Sequence, residues 1–388
     1  MPTNIPPEAQ AKWEEYSKAK TPEEKLQKLK EFYALIPKHK GTEKMEKFIK
    51  RRMAELREEI ERRRASKKSR GPSLMVEKRG AAQMVLIGFT NSGRSTILST
   101  LTNARVEISP NPFTTIKPVE GMMEFKGAQI QIVEAPPIIP QAQGGPTNLS
   151  VALAGNADIL GIVVSSTDDP IIQLDELVSL LESRGIVLER PSGRVRIRRS
   201  RAAPTIVIVN KGRILDGNER DVKEILRSYG IERAWVEIEG RVTLEDVEEA
   251  VFGEKKYKPF IIFLTKMDLT GDDSLLREVE VRYGEKALAV ISFPTRLPNN
   301  DELGAMILEE LGLIRVFTKA RNEREPSEKA VILERGSTVL DLAKFIHQSF
   351  KERFRYAKVW SDRLPYSPMK VGADFVLEDG DIVEIVVR

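Results

Sequence analysis

The first regular apolar stripe lies in residues 21–36. Leu26, Leu29, Tyr33 and Ile36 recur at three- and four-residue spacing, which predicts one face of a helix. Thr21-Pro22-Glu23-Glu24 supplies its start: threonine caps, proline suits the first turn and Glu24 can reach back. Pro37 and Gly41 interrupt, and Met45, Phe48, Ile49, Met53, Leu56 and Ile60 then form a second stripe. Residues 1–75 therefore predict a helical hairpin that either packs on the next domain or binds a partner. The run to Arg70, followed by Gly71-Pro72, reads as a linker. From Ala81 the period changes. "QMVLIG" is a short apolar strand that runs into a glycine loop, and "TILSTLT" reads as the helix after it. "EGMMEF" and "AQIQIVEAP" predict strands joined at Lys126-Gly127; "ADILGIVVSS", "KPFIIFLTKMDL" and "KALAVISFPT" predict further buried strands. The helix "IIQLDELVSLLESRG" ends at a glycine. Strands alternating with helices imply an α/β fold, a doubly wound and mostly parallel sheet covered on both faces.

Between that helix and Phe260 the pattern is different. An arginine run, the strand "TIVIVN", a helix around Val222 to Leu226, the strand "AWVEIE" and the helix "TLEDVEEAVFG" predict a small α+β domain inserted at 190–257. Thr243 and Asp246 suit the start of its last helix. The sheet domain is thereby split into 76–189 and 258–315. Beyond Val316 a β-hairpin, one helix capped by Ser337 or Thr338, and two later strands predict a β-grasp module at 316–388. No nucleophile and base come together there, which suggests a binding module.

Composition narrows the chemistry. A chain of 388 residues exceeds one ordinary core. No apolar run is long enough to span a bilayer and the N-terminus lacks a signal-peptide core, so no membrane partner and a cytoplasmic location are expected. The absence of cysteine excludes disulfides and thiol catalysis, and His39 and His347 alone make a histidine metal centre a poor fit. Net charge is only +4, but basic residues cluster in "RRRASKKSR" (Arg62 to Arg70) and "ERPSGRVRIRRSR" (Glu189 to Arg201). Each is either a solvated charge run or a contact with nucleic acid phosphate, with Arg194, Arg196, Arg198 and Arg199 the candidates in the second. Few aromatics are interleaved, which favours backbone contact over base stacking.

The sharpest chemistry is in "IGFTNSGRST" (Ile87 to Thr96). Gly88, Gly93 and Ser95 keep the spacing of a phosphate loop, with arginine at position 94 where lysine is usual. Such loops need glycine because backbone N–H groups must converge on phosphate. "PFTT" offers Thr115 as a second Mg²⁺ ligand that senses the third phosphate. "VEAPP" ends the next strand where Asp-x-Pro-Gly is expected, so Glu134 replaces aspartate and Pro137 replaces glycine. "TKMD" (Thr265 to Asp268) has the form of a guanine-reading motif: Asp268 would accept from the N1 and N2 donors and Lys266 would lie over the base. A backbone N–H at Ser292-Phe293 could meet guanine O6. "VNKGR" (Val209 to Arg213) imitates the guanine motif but lacks its aspartate. The order of these pieces, each at the C-terminal end of a strand, carries more weight than any one of them.

In these motifs, in "PFTTIKP", in "EAPPII" and in "GLIRVFTK" leading to the tail, the chain resembles the Obg-related GTPases and most of all their developmentally regulated GTP-binding (DRG) branch. The resemblance covers roughly residues 75–388 and implies a P-loop GTPase fold, an S5 domain 2-like insert and a TGS β-grasp tail. By position it implies that Gly88, Asn91, Ser92, Gly93, Arg94, Ser95 and Thr96 hold phosphates and that Ser95 and Thr115 bind Mg²⁺, with Glu134 beside them. Thr265, Lys266, Asp268, Ser292 and Phe293 would read guanine, and Asn91 makes K⁺ a candidate activator. Ile138 stands where many GTPases carry a water-positioning glutamine, which implies slow turnover and names no certain catalytic residue. GTP or GDP with Mg²⁺, a ribosome or RNA partner and a regulatory protein partner follow from the same resemblance.

Three departures fall on this chemistry. Arg94 is a larger, differently aimed cation than lysine. Glu134 is one methylene longer than aspartate. Pro137 has no N–H to give the third phosphate. Two functions remain open: a slow GTPase switch on the ribosome or another RNA machine, and a degenerate G-domain scaffold or RNA-binding adaptor. Asp268 speaks against an ATP-using P-loop enzyme.

Overall fold

The computed structural model describes residues 6–19, 21–37, 45–46, 49–50, 52–54, 56–57, 60, 76–102, 117–140, 145–200, 202–252, 255–295, 299–320 and 323–387. Thr115 with its "PFTT" loop, Phe48, and the basic run at 62–70 lie outside the described residues. The chain divides into two compact units, residues 1–73 with 175–258, and residues 74–174 with 259–388.

In the second unit, six strands form one sheet in the order Ala289–Ser292, Phe260–Thr265, Ile159–Ser165, Ala82–Ile87, Ala128–Glu134 and Val119–Phe125. All neighbours are parallel except the last pair, a hairpin turned at Lys126-Gly127. The central strands are buried along their whole length because helices cover both faces. Ile97, Leu98 and Leu101 of the helix Arg94–Leu101, and Leu303 and Ile307 of the helix Asn300–Glu310, pack into that core. The arrangement is the doubly wound sheet expected, and it brings the ends of five parallel strands to one edge.

The C-terminal module has five strands in the order Val331–Glu334, Leu313–Thr318, Ile382–Val387, Phe354–Trp360 and Met369–Val371. Thr338 caps its helix Val339–Ile346 in a reciprocal box with Asp341. Three strands and a short second helix, Gln348–Glu352, follow that cap, where the sequence predicts two strands. Met369–Val371 escapes prediction because three residues between Pro368 and Gly372 carry no period. The module is fixed to the six-stranded sheet at its hairpin. The Arg315 guanidinium lies 4.5 Å over the Phe125 ring, its Nη1 donates to the Lys126 carbonyl at 3.3 Å, and Ala330 N–H donates to the Gly127 carbonyl at 2.9 Å.

In the first unit the expected hairpin gains another helix, Pro7–Lys18, ahead of Pro22–Leu35. Trp13 packs on Phe32 at 5.1 Å between ring centres, and Lys12 and Lys28 straddle Glu15 and Glu31. A lone tryptophan in a polar stretch gives too weak a stripe to predict this helix. Leu29, Phe32, Met45, Ile49 and Leu56 share one core with Val222, Leu226, Val236 and Ile238, so the N-terminal helices and the inserted segment form a single body. No helix among the described residues is long and apolar enough to cross a membrane.

Candidate nucleotide site

The strand Ala82–Ile87 ends in a loop that only small residues could form. A Cβ at Gly88 would stand 2.4 Å from the Val163 carbonyl oxygen. Asn91 turns the chain through a left-handed conformation (φ 61°), which asparagine tolerates, and Gly93 does so again (φ 92°) as the residue before the helix Arg94–Leu101. The loop thus delivers the unpaired N–H groups of a helix start to one point, where the helix dipole favours an anion. Ser95 and Thr96 sit in that first turn, and Ser92 Oγ is buried without a hydrogen-bond partner.

Arg94 does not reach out of this loop. It is buried, and its Nη1 donates back to the Gly88 carbonyl and, at 3.2 Å, to the Phe89 carbonyl. Its Nε lies 3.8 Å from Glu134 Oε1. Burial pushes the guanidinium down to about 10, with Glu134 opposing, so it stays charged near neutral pH. Arg94 therefore braces the loop, and its charge is shared between loop carbonyls and Glu134. The Ser95 hydroxyl donates to Glu134 Oε1 at 2.7 Å, while Oε2 of the same carboxylate is buried with no partner. A hydroxyl and a carboxylate side by side are hard oxygen ligands, and an unsatisfied buried carboxylate oxygen invites a cation. Ser95 and Glu134 thus fit Mg²⁺, which when bound would neutralise charge on the phosphates.

The segment after the strand Ala128–Glu134 is held from both sides. Ala135 N–H donates to the Leu86 carbonyl and Ile138 N–H to the Gly88 carbonyl, each at 3.0 Å. Ile139 N–H donates to Thr147 Oγ1 at 3.1 Å, and Ser150 Oγ donates to the Pro136 carbonyl at 2.6 Å. Pro136 and Pro137 have no N–H. Residues 135–139 therefore present no uncommitted backbone N–H to a third phosphate. Thr147 and Ser150, on the helix Pro146–Asn156, are site residues that the sequence does not single out. Two small hydroxyls in "GGPTNLS" carry no spacing signal.

The base-reading end meets the loop directly. The Thr265 hydroxyl donates to the Ser92 carbonyl at 2.7 Å, with the Val164 carbonyl at 3.1 Å, and a Cβ at Gly93 would touch the Thr265 side chain at 3.2 Å. Thr265 is therefore a strut between the two motifs, its hydroxyl committed to the loop and to the neighbouring strand. Lys266 is half-buried in a left-handed conformation (φ 59°), and Asp268 is exposed in the short helix Met267–Thr270. Met267 N–H donates to the Phe293 carbonyl at 3.2 Å, which brings Ser292 and Phe293 beside them. The assignment of Phe293 needs correction. Its N–H donates to the Leu264 carbonyl at 2.7 Å and extends the sheet, so it is not available to guanine O6. Ser292 Oγ is bonded to Thr295 Oγ1, and after Pro294 the next backbone N–H is that of Thr295.

Gly88, Ser92, Gly93, Arg94, Ser95, Glu134, Thr265 and Ser292 thus converge at the ends of adjacent parallel strands, with exposed Asn91 at the loop tip. A model of 50S ribosome-binding GTPases matches residues 83–211, a model of the C-terminal region of that domain matches 204–313, and a TGS domain model matches 314–387. The chain is 32% identical over 380 residues to an uncharacterized GTP-binding protein of Methanocaldococcus jannaschii, covering 94% of this chain and 93% of that one. It is 30% identical over 365 residues to the developmentally-regulated GTP-binding protein 2 of Homo sapiens, covering 94% of this chain and 98% of that one. The chain belongs to the DRG family. This DRG protein is a GTP-binding protein of the Obg-like GTPase type, and guanine nucleotide is its ligand. Among solved structures, the YchF GTPase of Schizosaccharomyces pombe is similar over 80% of this chain and 99% of that one, at 16% identity and a TM-score of 0.44.

The arginine run of this DRG protein forms an edge strand, Gly193–Arg199, in the first unit. Arg194, Arg196 and Arg198 alternate with the inward-facing Val195 and Ile197. Arg199 falls on the inward side of that alternation and its Nη2 donates to the Val251 carbonyl at 3.5 Å, so it is separated from the other three. A cavity of about 550 Å³ lies along this strand against Ala250 and Val251.

Proposed function

We propose that this DRG protein is a slow GTPase switch of the cytoplasm that acts on the ribosome or another RNA-containing machine and distinguishes GTP from GDP weakly. The observation that carries this reading is the segment 135–139, which has two prolines and commits its remaining N–H groups to the phosphate loop and to Thr147. A GTPase senses the third phosphate by drawing that segment onto it, and here the segment has nothing to donate. Ile138 adds no polar group to orient water. The ribosome part of the reading follows the description of the family matched by residues 83–211. Mg²⁺ would be held by Ser95 with Glu134 and Thr115, and K⁺ by Asn91 at the loop tip.

Titration of the full chain with GDP and GTP, followed by single-turnover hydrolysis, tests this. Both nucleotides are expected to bind at micromolar concentration or below, with slow turnover. Asp268→Ala should weaken both by about a hundredfold, since it removes two hydrogen bonds to a charged acceptor. Failure of either nucleotide to bind would turn the reading to a nucleotide-free scaffold, and loss of GTP affinity alone on Asp268→Ala would contradict the base-reading role.

A further inference from the structure

The sheet of the first unit has one buried face and one exposed face. Its strands lie in the order Gly193–Arg199, Ala234–Val242 and Ile206–Ile214. Val195, Ile206, Ala234, Val236 and Ile238 face the helices and are buried. Alternation sends the side chains between them to the other face. There the register sets Trp235 between Arg198 and Val207, and Glu239 between Arg194 and Lys211, with Arg213 beside Arg241. Trp235 is 42% exposed although it lies on the central strand, near its start. An indole in that position contributes little to the core, and a folding argument alone gives no reason for it. Arg198 is exposed beside it, and Lys211, Arg213 and Arg241 are exposed farther along the same face. The acidic members of the face are Glu237, which has Arg196 Nη1 at 3.7 Å, and Glu239. Basic residues thus outnumber acidic ones: Arg198 lies beside the indole, and Lys211, Arg213 and Arg241 lie farther along the same face.

We infer that this sheet face binds single-stranded RNA, stacking a base on Trp235 while Arg198, Lys211, Arg213 and Arg241 hold the phosphates. The inference rests on the RNA association put forward above and names its surface. A duplex offers phosphates but buries its bases, so it gives an exposed indole nothing to stack on. A protein partner would favour joined apolar area, whereas the apolar residues here are only Trp235 and its neighbours Val207 and Val209, on a face whose charged residues are mostly cations. A flat aromatic on an open sheet with phosphate-binding side chains on either strand is the chemistry that splayed single strands require. The platform runs roughly 20 Å along the strands, long enough for several nucleotides. The arginine run itself holds no aromatic, which favours backbone contact; the tryptophan arrives from a strand some forty residues on, through the sheet register.

The test uses the full chain and a fluorescein-labelled mixed-sequence 12-nucleotide RNA, beside a hairpin duplex of the same composition. Anisotropy is expected to show tighter binding of the single strand. Trp235→Ala should weaken it about tenfold or more and Trp235→Phe should restore most of it, since stacking needs any aromatic face. Reversing Lys211 and Arg213 to glutamate should lower the salt slope by about 1.4. GDP binding of all variants should be unchanged, which controls for folding. If the wild type binds RNA or co-sediments with ribosomes and Trp235→Ala does so equally, this inference is overturned while the RNA association stands. If the wild type does neither, both fall. Equal affinity for duplex and single strand, or capture only of an RNA-free protein partner, also overturns it.

Discussion

Replacing Pro137 by alanine is expected to raise the affinity for GTP relative to GDP by about tenfold or more, the worth of one hydrogen bond from a backbone N–H to a charged acceptor. Proline at this position has no N–H, and its neighbours cannot substitute for it. Pro136 lacks one as well, Ile138 N–H is held by the Gly88 carbonyl at 3.0 Å, and Ile139 N–H is held by Thr147 at 3.1 Å. Alanine at 137 restores a donor at the right place with little added backbone freedom. Glycine there would add the same donor and more freedom, and should give a somewhat smaller gain. GDP affinity should not change, because GDP has no third phosphate to meet the new group. Pro136→Ala, one position earlier in the register, should leave the ratio where it is. Competition titration against labelled GDP measures all three. A Pro137→Ala protein with an unaltered ratio would mean that the segment plays no part in reading the third phosphate.

Arg94→Ala carries the second large effect, on stability. The side chain is buried and braces the Gly88 and Phe89 carbonyls against Glu134. Its removal costs those carbonyls their side-chain donor, leaving them only the Ile138 and Ser92 N–H groups, and leaves a buried carboxylate without a counter-charge. Breaking a buried pair in this way costs about 3–5 kcal/mol. Chemical denaturation of the nucleotide-free protein should show that loss. Neutralising the partner as well, in Arg94→Ala with Glu134→Gln, should recover part of it, and the coupling energy of that cycle separates the pair from the loop carbonyls. Arg94→Lys should be milder, since an ammonium keeps the charge but loses the fork. A loss no larger than that of an exposed arginine would contradict the brace.

How much of this could be read in advance depends on the range of the contact. Thr21 and Glu24 form their reciprocal cap as the four residues promise, with Glu24 N–H 3.2 Å from Thr21 Oγ1, because both partners lie within one turn. The alternating strands and helices of the GTPase sheet were equally legible, since burial on both faces leaves continuous apolar runs. The loop "IGFTNSGRST" was legible as a phosphate loop, but the aim of Arg94 was not: its partners include Glu134, forty residues away, and direction is set by the fold. The same holds for Phe293. Its place after a buried strand could be read, whereas the hydrogen bond from its N–H to Leu264 depends on strand register. Pro137 was visible as a missing donor. That Ile138 and Ile139 are committed as well appears only when Gly88 and Thr147 are brought against them, and this turns one missing hydrogen bond into a segment without any to give. Tryptophan 13 and the helix Pro7–Lys18 belong to the same class, for their apolar partners come from the helix after and from the inserted segment.

The most direct test of the central claim is a calorimetric comparison of GDP with a non-hydrolysable GTP analogue, in Mg²⁺, on the full chain. A protein that grips two phosphates through its loop and offers no backbone donor to the third should bind the two with affinities within about tenfold of each other, a difference of roughly 1.4 kcal/mol or less. Preference for the GTP analogue by about a hundredfold or more, roughly 2.7 kcal/mol, would require contacts to the third phosphate that the segment 135–139 does not supply, and would contradict the account.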